Sequence, residues 1–207
     1  MADQTTLYLI RHGATPENEK RPRILQGHGV DNALSELGRQ QAAQVADYLS
    51  SRSIDAVFSS PLRRAVETAE TIAVHHSLPV QTIASIHEVD VGRWQGLDWA
   101  TIQRDFPDDY QRYVDDSETH GYLGGECYRD VLNRIGPAFD ALLRQNVGRQ
   151  IAVVAHTVVN RTWLASLLGI ELRRAKELPQ DNCCINVVRF RSDEPQLVTL
   201  NSALHLS

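Results

Sequence analysis

Two short runs of the 207-residue chain contain consecutive apolar residues, and each is followed by a sequence of helical character. Residues 151–155 read IAVVA and precede VVNRTWLASLLG, while residues 54–60 read IDAVFSS and precede LRRAVETAETIAVHH. Strands without polar alternation are buried on both faces, as in α/β proteins whose parallel sheet is covered by helices on both sides. The chain is therefore predicted to be an α/β protein, a three-layer αβα sandwich with a mostly parallel central sheet.

The remaining segments supply the other elements of such a domain. Further strands are predicted over 6–11, 80–83, 86–90, 184–190 and 196–201, and further helices after Ser35, over 96–106 and over about 126–145. Ser35 is a typical N-cap residue, and Pro107 is expected to end the 96–106 helix, which makes 107–125 a polar loop. No repeat or linker divides the chain, so 1–207 is predicted as a single domain with a small helical lid subregion at about 90–130.

Composition excludes several classes of protein. A net charge of −5 argues against a broad nucleic-acid surface. No apolar run reaches the roughly 20 residues of a membrane helix, and the polar N-terminus lacks the features of a signal peptide. Cys127, Cys183 and Cys184 contain no CxxC spacing, which indicates neither a disulfide framework nor a zinc site. A cytoplasmic protein without nucleic-acid or membrane partners is expected.

Basic side chains follow the carboxyl ends of three predicted strands. They are Arg11 and His12 after the first strand, Arg63 and Arg64 after the second, and His156 after residues 151–155. Ligands of α/β sheets bind outside these strand ends, where helix N-termini also offer N–H groups. Arginine donates in a fork that matches phosphate oxygens. The pattern predicts a pocket for a dianionic phosphate, and two histidines without carboxylate or cysteine companions make a poor metal site.

Seven blocks of the sequence occur in an order that resembles the histidine phosphatase superfamily, the phosphoglycerate mutase-like group. They are RHG after the first strand, QGH at 26–28, LSELGRQQA, SSPLRRAVETA, EVDVGRWQGL, GGE and VVAH. The resemblance covers nearly the whole chain. It implies a phosphoglycerate mutase-like fold and phosphoryl transfer through a phosphohistidine, with no metal and no cofactor. A nucleotide-binding fold is not favoured, because neither GxxxxGK[ST] nor GxGxxG follows the first strand.

The resemblance also implies roles for individual residues. His12 is similar to the family nucleophile, and Glu88 to the carboxyl group that serves as acid and base. The rest of the implied site is a phosphate pocket of Arg11, Arg64 and His156, a further phosphate contact from Asn18, and a substrate-side loop at Gln26 and Gly27.

The sequence after Glu88 favours hydrolysis over mutase activity. Mutases that resemble this chain have arginine and tyrosine just after the glutamate and a long insertion before GGE, whereas Val89 and Asp90 follow here and the insertion is absent. A phosphoglycerate mutase remains one alternative. A phosphate-binding pseudoenzyme remains another, although the chain retains all five implied catalytic residues, Arg11, His12, Arg64, Glu88 and His156, which argues against it.

The C-terminal part resembles the metal-independent phosphoserine phosphatase branch of the family. The resemblance rests on Thr157, on DNCCINVV at 181–188 and on LNSALHL at 200–206. It implies that Thr157 and His205 bind substrate, with His205 reaching back over the pocket. Val91 stands where that branch tends to have a histidine, so phosphoserine, phosphoglycerate and a sugar phosphate all remain candidate substrates. A homodimer is also expected.

Overall fold

In the computed structural model, which describes residues 4–191 and 194–206, six strands form one sheet. They are β1 (Gln4–Arg11), β2 (Ala56–Ser59), β3 (Val80–Thr82), β4 (Gln150–Ala155), β5 (Ile185–Arg191) and β6 (Glu194–Ser202), in the order β3-β2-β4-β1-β5-β6. The first four strands run parallel, β5 is antiparallel to β1, and β6 is antiparallel to β5. The prediction of a mostly parallel sheet is confirmed.

Helices cover both faces of this sheet. The described residues form α1 (Pro16–Glu19), α2 (Glu36–Ser50), α3 (Arg63–Val74), α4 (Trp99–Asp105), α5 (Pro107–Asp115), α6 (Tyr128–Gln145) and α7 (Thr157–Leu167). Alternate residues of β1 separate two apolar cores: Leu7 and Leu9 pack with α6 and α7, whereas Tyr8 and Ile10 pack with α2 and α3. The predicted three-layer αβα architecture is confirmed. No helix in the described ranges has the length and apolar character to cross a bilayer.

Two predicted elements differ from the structure. Residues 107–125 are not all loop, because Pro107 occupies the first position of α5, where the N–H that proline lacks has no helical partner in any case. The strand predicted over 86–90 is also wrong. A single 3₁₀ turn, Ala84–Ile86, precedes an irregular segment there. Helices α4 and α5 lie within the predicted lid subregion, and their role as a lid stays a prediction.

The loop after β1 is held against the start of α2 by a close backbone contact. A Cβ on Gly38 would lie 1.9 Å from the carbonyl oxygen of Ala14, so only glycine allows this approach. Ser35 is the N-cap of α2, as predicted: its Oγ accepts from the Gly38 N–H at 3.0 Å and donates to the Ala14 carbonyl at 3.2 Å. The residues that follow His12 are therefore anchored to a long helix.

Candidate active site

The carboxyl ends of the parallel strands open onto a cavity of about 650 Å³. Eight of the residues singled out in the sequence line it: Arg11, His12, Asn18, Gln26, Gly27, Arg64, Glu88 and Thr157. His156 is fully buried beside them, with its ring centroid 5.1 Å from that of His12. Arg63 instead lies on the surface, where it pairs with Glu67. Residues distant in sequence are thus gathered at one sheet edge.

The hydrogen bonds of His12 define which of its ring nitrogens carries the lone pair. Its Nδ1 lies 2.7 Å from the carbonyl oxygen of Gly13, which can only accept, so Nδ1 carries the proton. The Nε2 atom accepts from the Nε–H of Arg64 at 3.3 Å. The residue is 2% exposed. A neutral imidazole therefore presents its Nε2 lone pair within the arginine-lined end of the cavity.

Two arginines are held in place by backbone carbonyls. Arg64 donates to the carbonyls of Val30 at 2.6 Å and Gly27 at 2.9 Å, which leaves its Nε–H directed at His12. Arg11 donates from Nη1 to the Gln180 carbonyl at 2.7 Å. Burial lowers the pKa of the Arg11 guanidinium to about 10, which still leaves it charged at neutral pH. Neither guanidinium pairs with a carboxylate among the described residues, so both retain charge for a ligand.

Several buried donors around His12 have no acceptor in the described part of the chain. They are the Nε of Arg11, the Nε2 of Gln26 and the Nδ1 of His156. Gln26 accepts through Oε1 from the Thr15 hydroxyl at 3.2 Å, which orients its amide so that the NH₂ group is left over. Buried donors without partners are costly, and a ligand rich in acceptor oxygens would satisfy them. A phosphate group has that character.

The contacts of His156 and Asn18 also leave hydrogen-bond donors available to a ligand. The Nε2 of His156 lies 2.7 Å from the Ser60 hydroxyl, which also accepts from the Leu62 N–H. When the Ser60 hydroxyl donates to Nε2, the ring proton is on Nδ1 and faces no acceptor among the described residues. The Oδ1 of Asn18 accepts from Thr15 N and from Asn182 Nδ2, and its own NH₂ group remains for a ligand in the cavity.

Glu88 lies on the irregular segment after Ala84–Ile86, and an arginine clamps that segment from behind. Arg134 donates to the carbonyls of Ser85 and His87 at 2.6 and 2.9 Å, and it pairs with Glu126 at 2.7 Å. Glu126 is the glutamate of the GGE block. This block therefore acts on the site indirectly, by fixing the backbone that carries Glu88.

The expectation that the N-termini of α3 and α7 offer their N–H groups to a phosphate is wrong for two of these groups. The Val158 N–H, in the first turn of α7, donates to the Glu88 carboxylate at 3.3 and 3.4 Å, and the Arg63 N–H of α3 donates to Asp31 at 2.6 Å. These N–H groups are taken by carboxylates and do not face a phosphate. The α7 terminus instead places the Glu88 carboxyl group beside the cavity.

His205 is not among the residues that line the cavity, and the substrate contact that the resemblance implied for it stays a prediction. Its Nε2 lies 3.0 Å from the Cys183 carbonyl, and its ring packs 5.4 Å from that of Tyr48 on α2. The 3₁₀ turn Leu204–Leu206 runs along this helix, which keeps the histidine away from the pocket. Reaching substrate would require these contacts to break.

The cavity also has a part that sequence reasoning missed. An aromatic wall, defined here as Trp99, Tyr110, Tyr113, Tyr122 and Tyr128, faces it together with the cations Arg161 and Lys176. The tyrosine pair Tyr110 and Tyr113 has the spacing of one helix face. That signal becomes readable only when Pro107 is taken as the start of a helix.

The two buried histidines make the stability of the fold dependent on pH. Burial lowers the pKa of His12 well below its ordinary value of 6.5, with the charges of Arg64 and Arg11 acting in the same direction. Burial and Arg64 likewise lower the pKa of His156. Below pH 6.5 these histidines take up protons in the unfolded chain but stay neutral in the native protein. Their contribution to the free energy of unfolding is therefore fully present above pH 6.5 and is lost as the pH falls.

We expect the free energy of unfolding to fall by about 1.4 kcal/mol per pH unit for each of these histidines below pH 6.5. Urea unfolding at pH 7.5, 6.5 and 5.5 in phosphate-free buffer measures the slope. His12→Gln and His156→Gln should each remove about half of the histidine contribution. A native slope no steeper than that of the double variant would contradict this assignment.

A neutral imidazole among arginines and unpartnered donors, at the carboxyl edge of an α/β sheet, is typical of an enzyme that acts on phosphate esters. No three His, Cys, Asp or Glu side chains of the described residues are grouped so as to hold a metal ion. The family model of the histidine phosphatase superfamily (branch 1) matches residues 7–203. The chain belongs to this superfamily, and it is a phosphatase.

Known relatives agree with this membership. The chain is 31% identical to phosphoserine phosphatase 1 of Hydrogenobacter thermophilus, over 97% of this chain and 93% of that protein. Its structure resembles a phosphoserine phosphatase mutant of Entamoeba histolytica in complex with phosphoserine (TM-score 0.88, 28% identity, 98% and 100% of the chains). It also resembles a mycobacterial glucosyl-3-phosphoglycerate phosphatase (TM-score 0.86, 29% identity, 97% and 100%). The predicted family, enzyme class and hydrolytic activity are confirmed.

Proposed function

We propose that this phosphatase hydrolyses monoesters of small phosphorylated metabolites through a phosphohistidine on His12, with Glu88 as acid and base and without a metal ion. The observation that carries the proposal is the environment of the His12 Nε2 atom, which lies 3.3 Å from the Nε of Arg64. The neighbouring residue Arg11 and the nearby His156 ring each have a buried nitrogen without a partner, Nε and Nδ1.

In the first step the His12 Nε2 attacks phosphorus, a P–N bond forms, and the bond from phosphorus to the ester oxygen breaks. Negative charge on the equatorial oxygens is stabilised by Arg11 and Arg64, which are already held by backbone carbonyls and need not reorganise. The proton from Glu88 passes to the leaving oxygen and releases an alcohol. The Nε–H of Arg64 exchanges its contact with Nε2 for a phosphate oxygen.

In the second step water attacks the phosphohistidine. Glu88, now a carboxylate, takes a proton from the water as the new P–O bond forms and the P–N bond breaks. Inorganic phosphate leaves and His12 recovers its lone pair. Electrons and protons balance over the cycle without a cofactor, and a metal cation at this position would be repelled by two arginines.

Phosphate release from a panel of monoesters, measured with a chelator present, tests the proposal. L-Phosphoserine, 3-phosphoglycerate, a hexose phosphate and an aryl phosphate cover the substrate classes that remain open. Turnover that persists with the chelator supports the metal-free reaction. Chelator-sensitive turnover, or conversion of 3- to 2-phosphoglycerate faster than phosphate release, would overturn it.

We also propose a homodimer and a cytoplasmic location. The edge strand β6 exposes Val198, which offers a surface on which two chains could pair. Cys127, Cys183 and Cys184 are free and buried, as suits a reducing compartment. Sedimentation velocity of the native chain tests the first of these proposals, and fractionation of the source cells tests the second.

A further inference from the structure

The cavity is larger than a phosphate pocket requires. Its 650 Å³ falls within the roughly 300–1,000 Å³ of pockets that enclose drug-sized ligands. Three residues of the aromatic wall come from α4 and α5, and one of them, Trp99, stacks with Tyr113 at 5.5 Å between ring centroids. Val91 adds an aliphatic surface close to Gly27. An uncharged, flat or apolar body would find favourable contacts here.

Two cations face this region without an acidic partner. Arg161 on α7 donates through Nε to the Leu178 carbonyl at 2.6 Å. Lys176 donates to the Val114 carbonyl at 2.7 Å and lies 5.8 Å from the centre of the Tyr113 ring. Neither forms an ion pair within residues 4–191 and 194–206, and each is only partly exposed. Cations held in a partly enclosed site gain most from a bound counter-ion.

Neighbouring arginines behave differently, which makes the two cations distinctive. Arg173 and Arg174 precede Lys176 on the same 3₁₀ segment, Leu172–Glu177. They pair with Glu171 and Glu177, both at 2.8 Å, and lie outside the cavity lining. The unpaired charges are therefore the ones that point to the cavity.

The charge balance of the cavity identifies what these cations would bind. Its lining contains Arg11, Arg64, Arg161 and Lys176 against the single carboxylate of Glu88. A phosphate dianion matches the first two, which leaves the second two for another anion. An ammonium group on the substrate would find Glu88 as the one carboxylate of the cavity lining, and that carboxylate already accepts from two backbone N–H groups.

We propose that Arg161 and Lys176 form a second anion subsite, so that the preferred substrate is a phosphomonoester whose alcohol part carries an acidic group on an uncharged body packed against the aromatic wall. The inference rests on the proposed function, because it assigns the part of the substrate that leaves as the alcohol. It disfavours zwitterionic phosphoserine relative to an acidic phosphate ester of greater size.

Three aryl phosphates with different charges on one remote substituent test the subsite. They are phenyl phosphates with a carboxymethyl, methyl or aminomethyl group at the 4-position, in which the methylene insulates the ring from the charge. We expect kcat/KM for the carboxymethyl compound to exceed that of the methyl compound by at least about tenfold, with the aminomethyl compound lowest. Equal values for all three would overturn the subsite and leave the phosphatase mechanism intact.

Variants assign the preference to the two cations. R161M/K176M should bring the ratio of carboxymethyl to methyl kcat/KM close to one, whereas Arg174→Met, a cation of the same segment outside the cavity, should keep the native ratio. A ratio unchanged in the double variant would overturn the inference. Absence of phosphate release from all three compounds, with no labelled phosphoenzyme from any, would instead remove the proposed function, and the subsite with it.

Discussion

Replacing His12 by alanine should lower phosphate release by at least about 1,000-fold and abolish the covalent phosphoenzyme. The reason is that the Nε2 of this imidazole holds the lone pair aimed at the arginine-lined end of the cavity, whereas the Nδ1 is committed to the Gly13 carbonyl. To measure this, the protein is mixed with ³²P-labelled substrate and rapidly quenched, and the acid stability and base stability of the label on the protein are determined. A phosphohistidine appears as acid-labile, base-stable label.

The matched control is His28→Ala, which removes a histidine from the loop beside Gly27 but not from the cavity lining. It should label and turn over as the native protein does. Binding of inorganic phosphate by the His12→Ala variant shows whether Arg11, Arg64 and His156 still form the pocket. Labelling of that variant to the native level, or label found on a different residue, would rule out His12 as the nucleophile.

Much of the central sheet was accessible from the sequence because its signals are local. The apolar run before His156 and the strand before His12 each have the composition of a doubly buried strand, and parallel strands bring their carboxyl ends to one edge. The juxtaposition of His12 and His156 follows from the pairing of β1 with β4, in which Arg11 lies opposite Ala155. No alignment is needed for that step.

Other features depend on contacts that a local pattern does not carry. The position of His205 is decided by packing against Tyr48 on α2, more than 150 residues earlier in the chain. The 3₁₀ turn Leu204–Leu206, which follows β6, brings His205 to Tyr48. Likewise, Arg134 holds the segment that bears Glu88 by donating to the carbonyls of Ser85 and His87. This segment is irregular backbone and not the strand that the sequence predicted.

The aromatic wall shows a different limit. Each of its residues has an ordinary interpretation as core, and the buried Trp94 beside it is core. What makes Trp99 and Tyr110 part of a site is the cavity beneath them, which exists because α4 and α5 lie across the carboxyl edge of the sheet. The proline that starts α5 was interpreted as a stop. That wrong element boundary concealed Tyr110 and Tyr113, which lie on α5 and line the cavity.

In Glu88→Gln, a comparison of substrates with poor and good leaving groups should separate the two chemical steps. With an alkyl phosphate the departing alkoxide needs a proton, and loss of the carboxyl group should lower kcat by roughly 100- to 1,000-fold. With 4-nitrophenyl phosphate the leaving phenolate is stable without a proton. The first step should then stay fast while water attack on the phosphohistidine becomes slow, since the same carboxylate serves as base in that step.

We therefore expect Glu88→Gln to release a burst of one equivalent of nitrophenolate per active site, followed by slow turnover. Stopped-flow absorbance measures this burst. Glutamine retains the side-chain oxygen that accepts from Val158 N, so the α7 contact at 3.3 Å can persist. Glu126→Gln is the matched control: it weakens the Arg134 clamp that positions the segment, and should slow both substrates by a similar factor without a burst. Equal losses for alkyl and nitrophenyl phosphates in Glu88→Gln, with no burst, would assign this carboxylate to positioning and require a different proton donor at the leaving oxygen.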